Sequence, residues 1–161
     1  MGEKEKPSPL FLSIVAGIGT ALLSPIAVSG EPVVVLIIPI ALVAAYLHTA
    51  NDGILVAVGG SLLAGLTTYS IMNWEIISYA LAAGISVIGM TSLFSKTSGK
   101  HVLIFGIVGT ILFQLLFDLQ AGQNILLRPE EFLGTYPGAG IRILANLFIT
   151  SIALNIWEKN N

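Results

Sequence analysis

The sequence predicts an all-α integral membrane protein: one transmembrane domain, a bundle of six membrane-spanning helices with both termini in the cytoplasm. Three observations lead there. Of 161 residues, 55% are hydrophobic and only 10% are charged, where a soluble domain carries about 25% charged residues. So few charges cannot clothe a globule in water, and the apolar excess must face lipid. The apolar residues fall in six stretches, each near the ~20 residues a helix needs to cross the hydrocarbon core. If those stretches alternate in direction, every lysine lies on one side.

The spans read in order as Pro9 to Ser29, Pro32 to Ala50, Gly53 to Met72, Trp74 to Phe94, His101 to Leu119 and Gly140 to Trp157. Pro9 and Pro32 suit first helical positions, where a missing N–H costs nothing. Pro25 and Pro39 fall inside spans and are expected to kink them. The joints Gly30-Glu31, Asn51-Asp52 and Asn73 are short enough to make neighbouring helices antiparallel. Only the fifth connection, Gln120 to Ala139, is long. It holds Gly122, Pro129, Gly134, Pro137 and Gly138 as turn formers, and a loop of that length in a compact domain is functional or disordered. Its apolar runs 125–127 and 132–133 are expected to fold back onto the protein. Lys4 and Lys6 before an apolar run resemble a signal peptide, but the run is longer than such a segment and leads directly into another span, so no removal is expected.

With the N-terminus inside, the cytoplasmic segments hold Lys4, Lys6, Lys96, Lys100 and Lys159. The outer side holds Glu31, Glu75, Asp118, Glu130 and Glu131, with Arg128 and Arg142. That asymmetry sets the orientation and places the chain in the cell membrane as a multi-pass protein.

The net charge of −2 gives no reason to expect a nucleic-acid partner, and the absence of cysteine removes disulfides, thiolate metal sites and thiol chemistry. Neither a metal nor a cofactor is implied. His48 and His101 near the inner face read as interface residues. Metalloprotease, phosphate-loop and nucleophile signatures are all missing, so the chain is not read as an enzyme.

Membrane helices associate through small residues, because lipid tails are as apolar as leucine. Ala16, Gly17, Thr20 and Ala21 line one face of the first span. Gly60 with Ala64 and Ser61 with Gly65 do so on the third, Ala82, Ala83, Ser86 and Met90 on the fourth, and Gly106, Gly109 and Thr110 on the fifth. Packing within the bundle accounts for most of these; the face on the first span also suits a partner membrane protein.

Polar groups inside a membrane are costly, about 2.5–3.5 kcal/mol for a central Asp or Arg, so their positions are informative. Thr110, Gln114 and Asp118 repeat every fourth residue on the fifth span. Arg142, Asn146 and Thr150 do the same on the sixth. The two helices are antiparallel, so both stripes lie in the outer half of the bilayer, and Asp118 and Arg142 come to one depth, where an ion pair is expected. Trp74, Glu75, Ser78 and Tyr79 open the fourth span at that level, and Arg128 and Tyr136 lie in the long loop above. Apolar and aromatic walls with a few convergent polar groups suit a small-molecule pocket. Each residue alone also has a plain role, as belt aromatic, snorkelling cation or structural pair.

Six short-looped spans, Ala16-Gly17-xxx-Ala21, a fifth span reading GIVGTILFQLLFDL and a long outer loop before RILANLFITSIAL together resemble the substrate-binding S components of energy-coupling factor vitamin transporters. The resemblance implies a six-helix bundle without ATPase activity of its own, which captures a small nutrient from outside. It implies partners as well: a membrane coupling protein and cytoplasmic ATPases. On this resemblance Trp74, Tyr79, Gln114, Asp118, Arg128, Tyr136, Arg142 and Asn146 are expected around the substrate, and Ala16, Gly17, Thr20 and Ala21 at the docking face. The topology is also similar to that of the rod-shape membrane protein MreD, a scaffold that needs no pocket.

Overall fold

Six helices form in the computed structural model, which describes residues 6–28, 31–32, 34–67, 74–120 and 137–158. They are α1 (Pro9–Leu23), α2 (Ile37–Leu47), α3 (Ala50–Thr67), α4 (Trp74–Leu93), α5 (Gly99–Gln120) and α6 (Pro137–Glu158). Between α1 and α2, β1 (Ala27–Val28) pairs antiparallel with β2 (Glu31–Pro32).

Four helices, α3 to α6, are long and apolar enough to cross a membrane. The first two are shorter than their apolar runs. With 15 and 11 residues and a rise of 1.5 Å per residue, α1 and α2 reach about 22 and 16 Å, against a hydrocarbon core of ~30 Å. Position explains why α2 can be short. It packs against every other helix, and all its residues but Tyr46 are buried. Exposed large apolar side chains such as Leu22, Leu66, Ile88, Leu144 and Phe148 ring the outside on the other helices, and none lies on α2. A helix walled off from lipid by its neighbours has no need to match the bilayer thickness. Irregular backbone is tolerated at such depth where protein satisfies it. Here the Val35 N–H donates to Asn146 Oδ1 on α6 at 3.3 Å, and the Leu36 N–H to Thr20 Oγ1 on α1 at 3.1 Å.

Several expected boundaries move, each for a local reason. Pro9 does open α1: Ser8 caps it, its Oγ accepting from the Phe11 N–H at 3.2 Å. Pro25, however, lies past the end of α1 rather than within it. Pro39 is the third residue of α2, in a first turn whose N–H groups have no intrahelical acceptor. Neither proline kinks a helix. Pro32 sits in β2, so the joint of the first pair is a hairpin-bearing connection rather than Gly30-Glu31 alone. Pro137 and Gly138 belong to the first turn of α6 rather than to the long loop.

The second joint is His48-Thr49, with Asn51 and Asp52 already in α3. The Asp52 N–H donates to Thr49 Oγ1 at 3.3 Å, and Asp52 Oδ2 accepts from the Thr49 N–H at 3.2 Å. This reciprocal capping box is what starts α3 there. Thr49→Ala is expected to cost about 1 kcal/mol, read as a lowered melting temperature in detergent.

The small face of α1 is used within the chain. A Cβ on Gly17 would lie 2.6 Å from both Gly60 O and Leu63 Cβ. Ala16 is buried against the same helix, Thr20 holds the Leu36 N–H, and Ala21 is half-buried. Ala16, Gly17 and Thr20 are therefore bundle contacts rather than an open docking face, because α3 already fills the groove they make.

Candidate functional site

The two polar stripes meet as their spacing requires. Gln114 on α5 and Arg142, Asn146 and Thr150 on α6 are each at most 2% exposed. Antiparallel helices with polar side chains every fourth residue bring one whole stripe against the other. Arg142 Nη1 donates to Gln114 Oε1. One turn deeper, Asn146 Nδ2 donates to Thr110 Oγ1 at 3.2 Å, while Asn146 Oδ1 takes the Val35 N–H. Thr110 and Thr150 donate to the Gly106 and Asn146 carbonyls at 2.8 and 2.6 Å, which leaves no hydroxyl proton of this layer unpaired.

An aromatic wall stands beside the arginine. Its Cζ lies 5.3 Å from the centroid of the Phe113 ring, a cation–π distance. Phe113 stacks on Tyr79 of α4 with centroids 4.7 Å apart, and Phe117 lies 5.8 Å further along. The Tyr79 hydroxyl donates to the Glu75 carboxylate one turn away, and Trp74 Nε1 donates to the Leu116 carbonyl at 2.9 Å, fastening α4 to α5. Ser78, on the same part of α4, is wholly buried and its Oγ has no hydrogen-bond partner among the described residues. An orphaned buried hydroxyl costs about 1–3 kcal/mol.

Of the residues expected from sequence, Trp74, Tyr79, Gln114, Arg142 and Asn146 come together at one end of α4, α5 and α6. The Asp118 side chain, Arg128 and Tyr136 lie outside the described residues, and with them the expected Asp118–Arg142 pair. Among the described residues Arg142 bonds to Gln114. Phe113 joins the site unforeseen, since a phenylalanine in an apolar helix carries no signal in sequence that it faces inward. Glu75 and Thr110 sit at the expected level and take direct part. The result is a guanidinium, a carboxylate, two amides and a stack of aromatic rings within one bundle end.

The histidines are engaged separately. His48 Nε2 lies 2.9 Å from the Pro7 carbonyl, and Lys6 Nζ donates to the Leu47 carbonyl at 3.1 Å, so residues 6–7 cap the end of α2. The His101 ring stacks on Phe94 at 3.8 Å and accepts from the Ser98 N–H. Among the described residues no three metal-ligating side chains gather. No protein family, curated protein or solved structure matches the chain.

Proposed function

We propose that the chain is the membrane-embedded substrate-capture subunit of an uptake transporter for a small, water-soluble, vitamin-like nutrient. All six helices then traverse the cell membrane as one bundle, the central α2 shielded by the rest, with both termini in the cytoplasm. The ligand binds at the outer ends of α4, α5 and α6. A membrane coupling protein and cytoplasmic ATPases supply the energy.

The observation that carries this reading is Arg142. It is 1% exposed on a membrane-crossing helix, held by Gln114 and laid over Phe113. An arginine at such depth has an insertion cost, and intramembrane ionisable groups that face the bundle interior mark ligand and ion paths. The Glu75–Tyr79 pair and the orphaned Ser78 hydroxyl support the same end of the bundle. Protein purified from cells grown in rich medium is expected to release one vitamin-like compound, near one per chain, on denaturation and mass spectrometry. No bound compound, with a constant set of membrane proteins co-purifying, would instead favour the scaffold reading.

Orientation is open to a direct check because the chain has no cysteine. Single cysteines at positions 31 and 96 provide it. An impermeant thiol reagent on intact cells is expected to label position 31, and position 96 only after permeabilisation. The opposite pattern would turn the polar end toward the cytoplasm and rule out capture from outside.

A further inference from the structure

The opposite end of the bundle carries a recess that the capture reading does not use. A crevice of about 560 Å³ opens between the start of α5 and the facing stretch of α6. Gly99 and Lys100 line it from α5, and Ser151 and Asn155 from α6, while Leu103 and Leu154 give it apolar walls.

Its charge is one-sided. Lys100 lies in the first turn of α5, where the helix dipole is positive and a cation is disfavoured by about 0.3–1 kcal/mol. That turn has no acidic residue, and no acidic side chain among the described residues lines the crevice. Its polar groups are also uncommitted. Ser13, Ser61, Ser86, Thr110 and Thr150 each donate to the carbonyl four residues back. Ser151 Oγ, the Asn155 amide and Lys100 Nζ, in contrast, make no hydrogen bond to another described residue. The walls run out onto exposed Ile104, Ile152 and Ile156, part of the apolar exterior.

We infer that this crevice binds the headgroup of an anionic phospholipid. Lys100 and the N–H groups of Gly99 and Lys100 face the phosphate, Ser151 and Asn155 bond its oxygens or the glycerol, and the acyl chains lie along the apolar exterior of α5 and α6. A soluble anion would use the cationic mouth but not the apolar surface that continues from it. In the orientation set by the lysines the crevice faces the inner leaflet, where anionic headgroups attract basic residues.

The test is native mass spectrometry of the full chain in detergent with equal phosphatidylglycerol and phosphatidylcholine, with glycerol phosphate as a chainless probe. Phosphatidylglycerol should be retained preferentially. Lys100→Gln should lower its retention about fivefold, equivalent to the ~1 kcal/mol of one lysine at a membrane surface. Lys100→Arg and Lys96→Gln should leave retention unchanged, and the double change Ser151→Ala with Asn155→Ala should lower it with Lys100 intact. Equal retention of the two lipids would overturn the inference. So would an equal loss from Lys96→Gln, which would mean diffuse attraction, or saturable binding of glycerol phosphate as tight as that of the lipid, which would mean a soluble anion site. The site lies apart from Arg142, so none of these outcomes bears on nutrient capture.

Discussion

Replacing Arg142 with alanine is expected to weaken nutrient binding by about thirtyfold or more while the bundle still folds. Two opposing terms allow the fold to survive. The change leaves the buried Gln114 carbonyl without this donor, a cost of about 1–3 kcal/mol. It also removes a cation whose insertion costs about 2.5–3.5 kcal/mol. The terms are each a few kcal/mol and oppose one another, so the variant should elute as a single folded species. Binding has no such offset. Truncating one member of a buried, hydrogen-bonded charged contact costs about 2 kcal/mol or more, on the order of thirtyfold in Kd. Arg142→Lys should fail to rescue, because an ammonium cannot reproduce the planar fork or its stacking on Phe113. Full binding by the folded alanine variant would remove Arg142 from the site.

The second large effect concerns packing. Gly53, near the start of α3, sits where α2, α3 and α4 converge. A Cβ there would lie 2.6 Å from Ala45 Cβ, 2.8 Å from Ala41 O and 3.0 Å from Val87 Cγ1. The first two belong to the backbone or to a side chain with no rotamer, so the helices themselves would have to part. Gly53→Leu is expected to destabilise by about 3 kcal/mol or more and to yield aggregated protein in detergent. Gly84→Ala on α4 is the matched control. Nothing lies within 4 Å of its Cβ, and alanine should raise helix stability by up to about 1 kcal/mol. Equal behaviour of the two variants would show that the α2–α3–α4 crossing is not close.

The meeting of the two polar stripes was legible in the sequence, because polar residues are rare in these helices and recur every fourth position. The pairs within it were not: spacing suggested Asp118 opposite Arg142, whereas Gln114 bonds to Arg142 and Thr110 to Asn146. The fold was less legible where every residue is apolar. Between Pro32 and Ala50 nothing in the composition separates an extended lead-in from a helix, since a stretch buried on all sides shows no periodicity. The first helix ran long for the same reason. Pro25, two residues past Leu23, ends α1 locally; what delays α2 is tertiary, since side chains of Thr20 and Asn146, distant in sequence, satisfy the backbone donors at Leu36 and Val35. The small face of α1 was visible as a contact surface, but whether α3 or another protein fills it was not. Spacing gives a face and no partner.

The most direct test of nutrient capture is a thermal-shift screen of detergent-purified protein against water-soluble vitamins and their precursors. A true ligand at about a hundred times its Kd adds roughly 2.7 kcal/mol to the folded state, a readily measured rise in melting temperature. One compound, or a close chemical set, should stabilise the parent and stabilise Arg142→Ala by roughly a third as much, about 0.9 kcal/mol at thirtyfold weaker binding. A flat screen on well-folded parent protein, or a stabilisation undiminished in the Arg142 variant, would contradict capture at the ends of α4, α5 and α6.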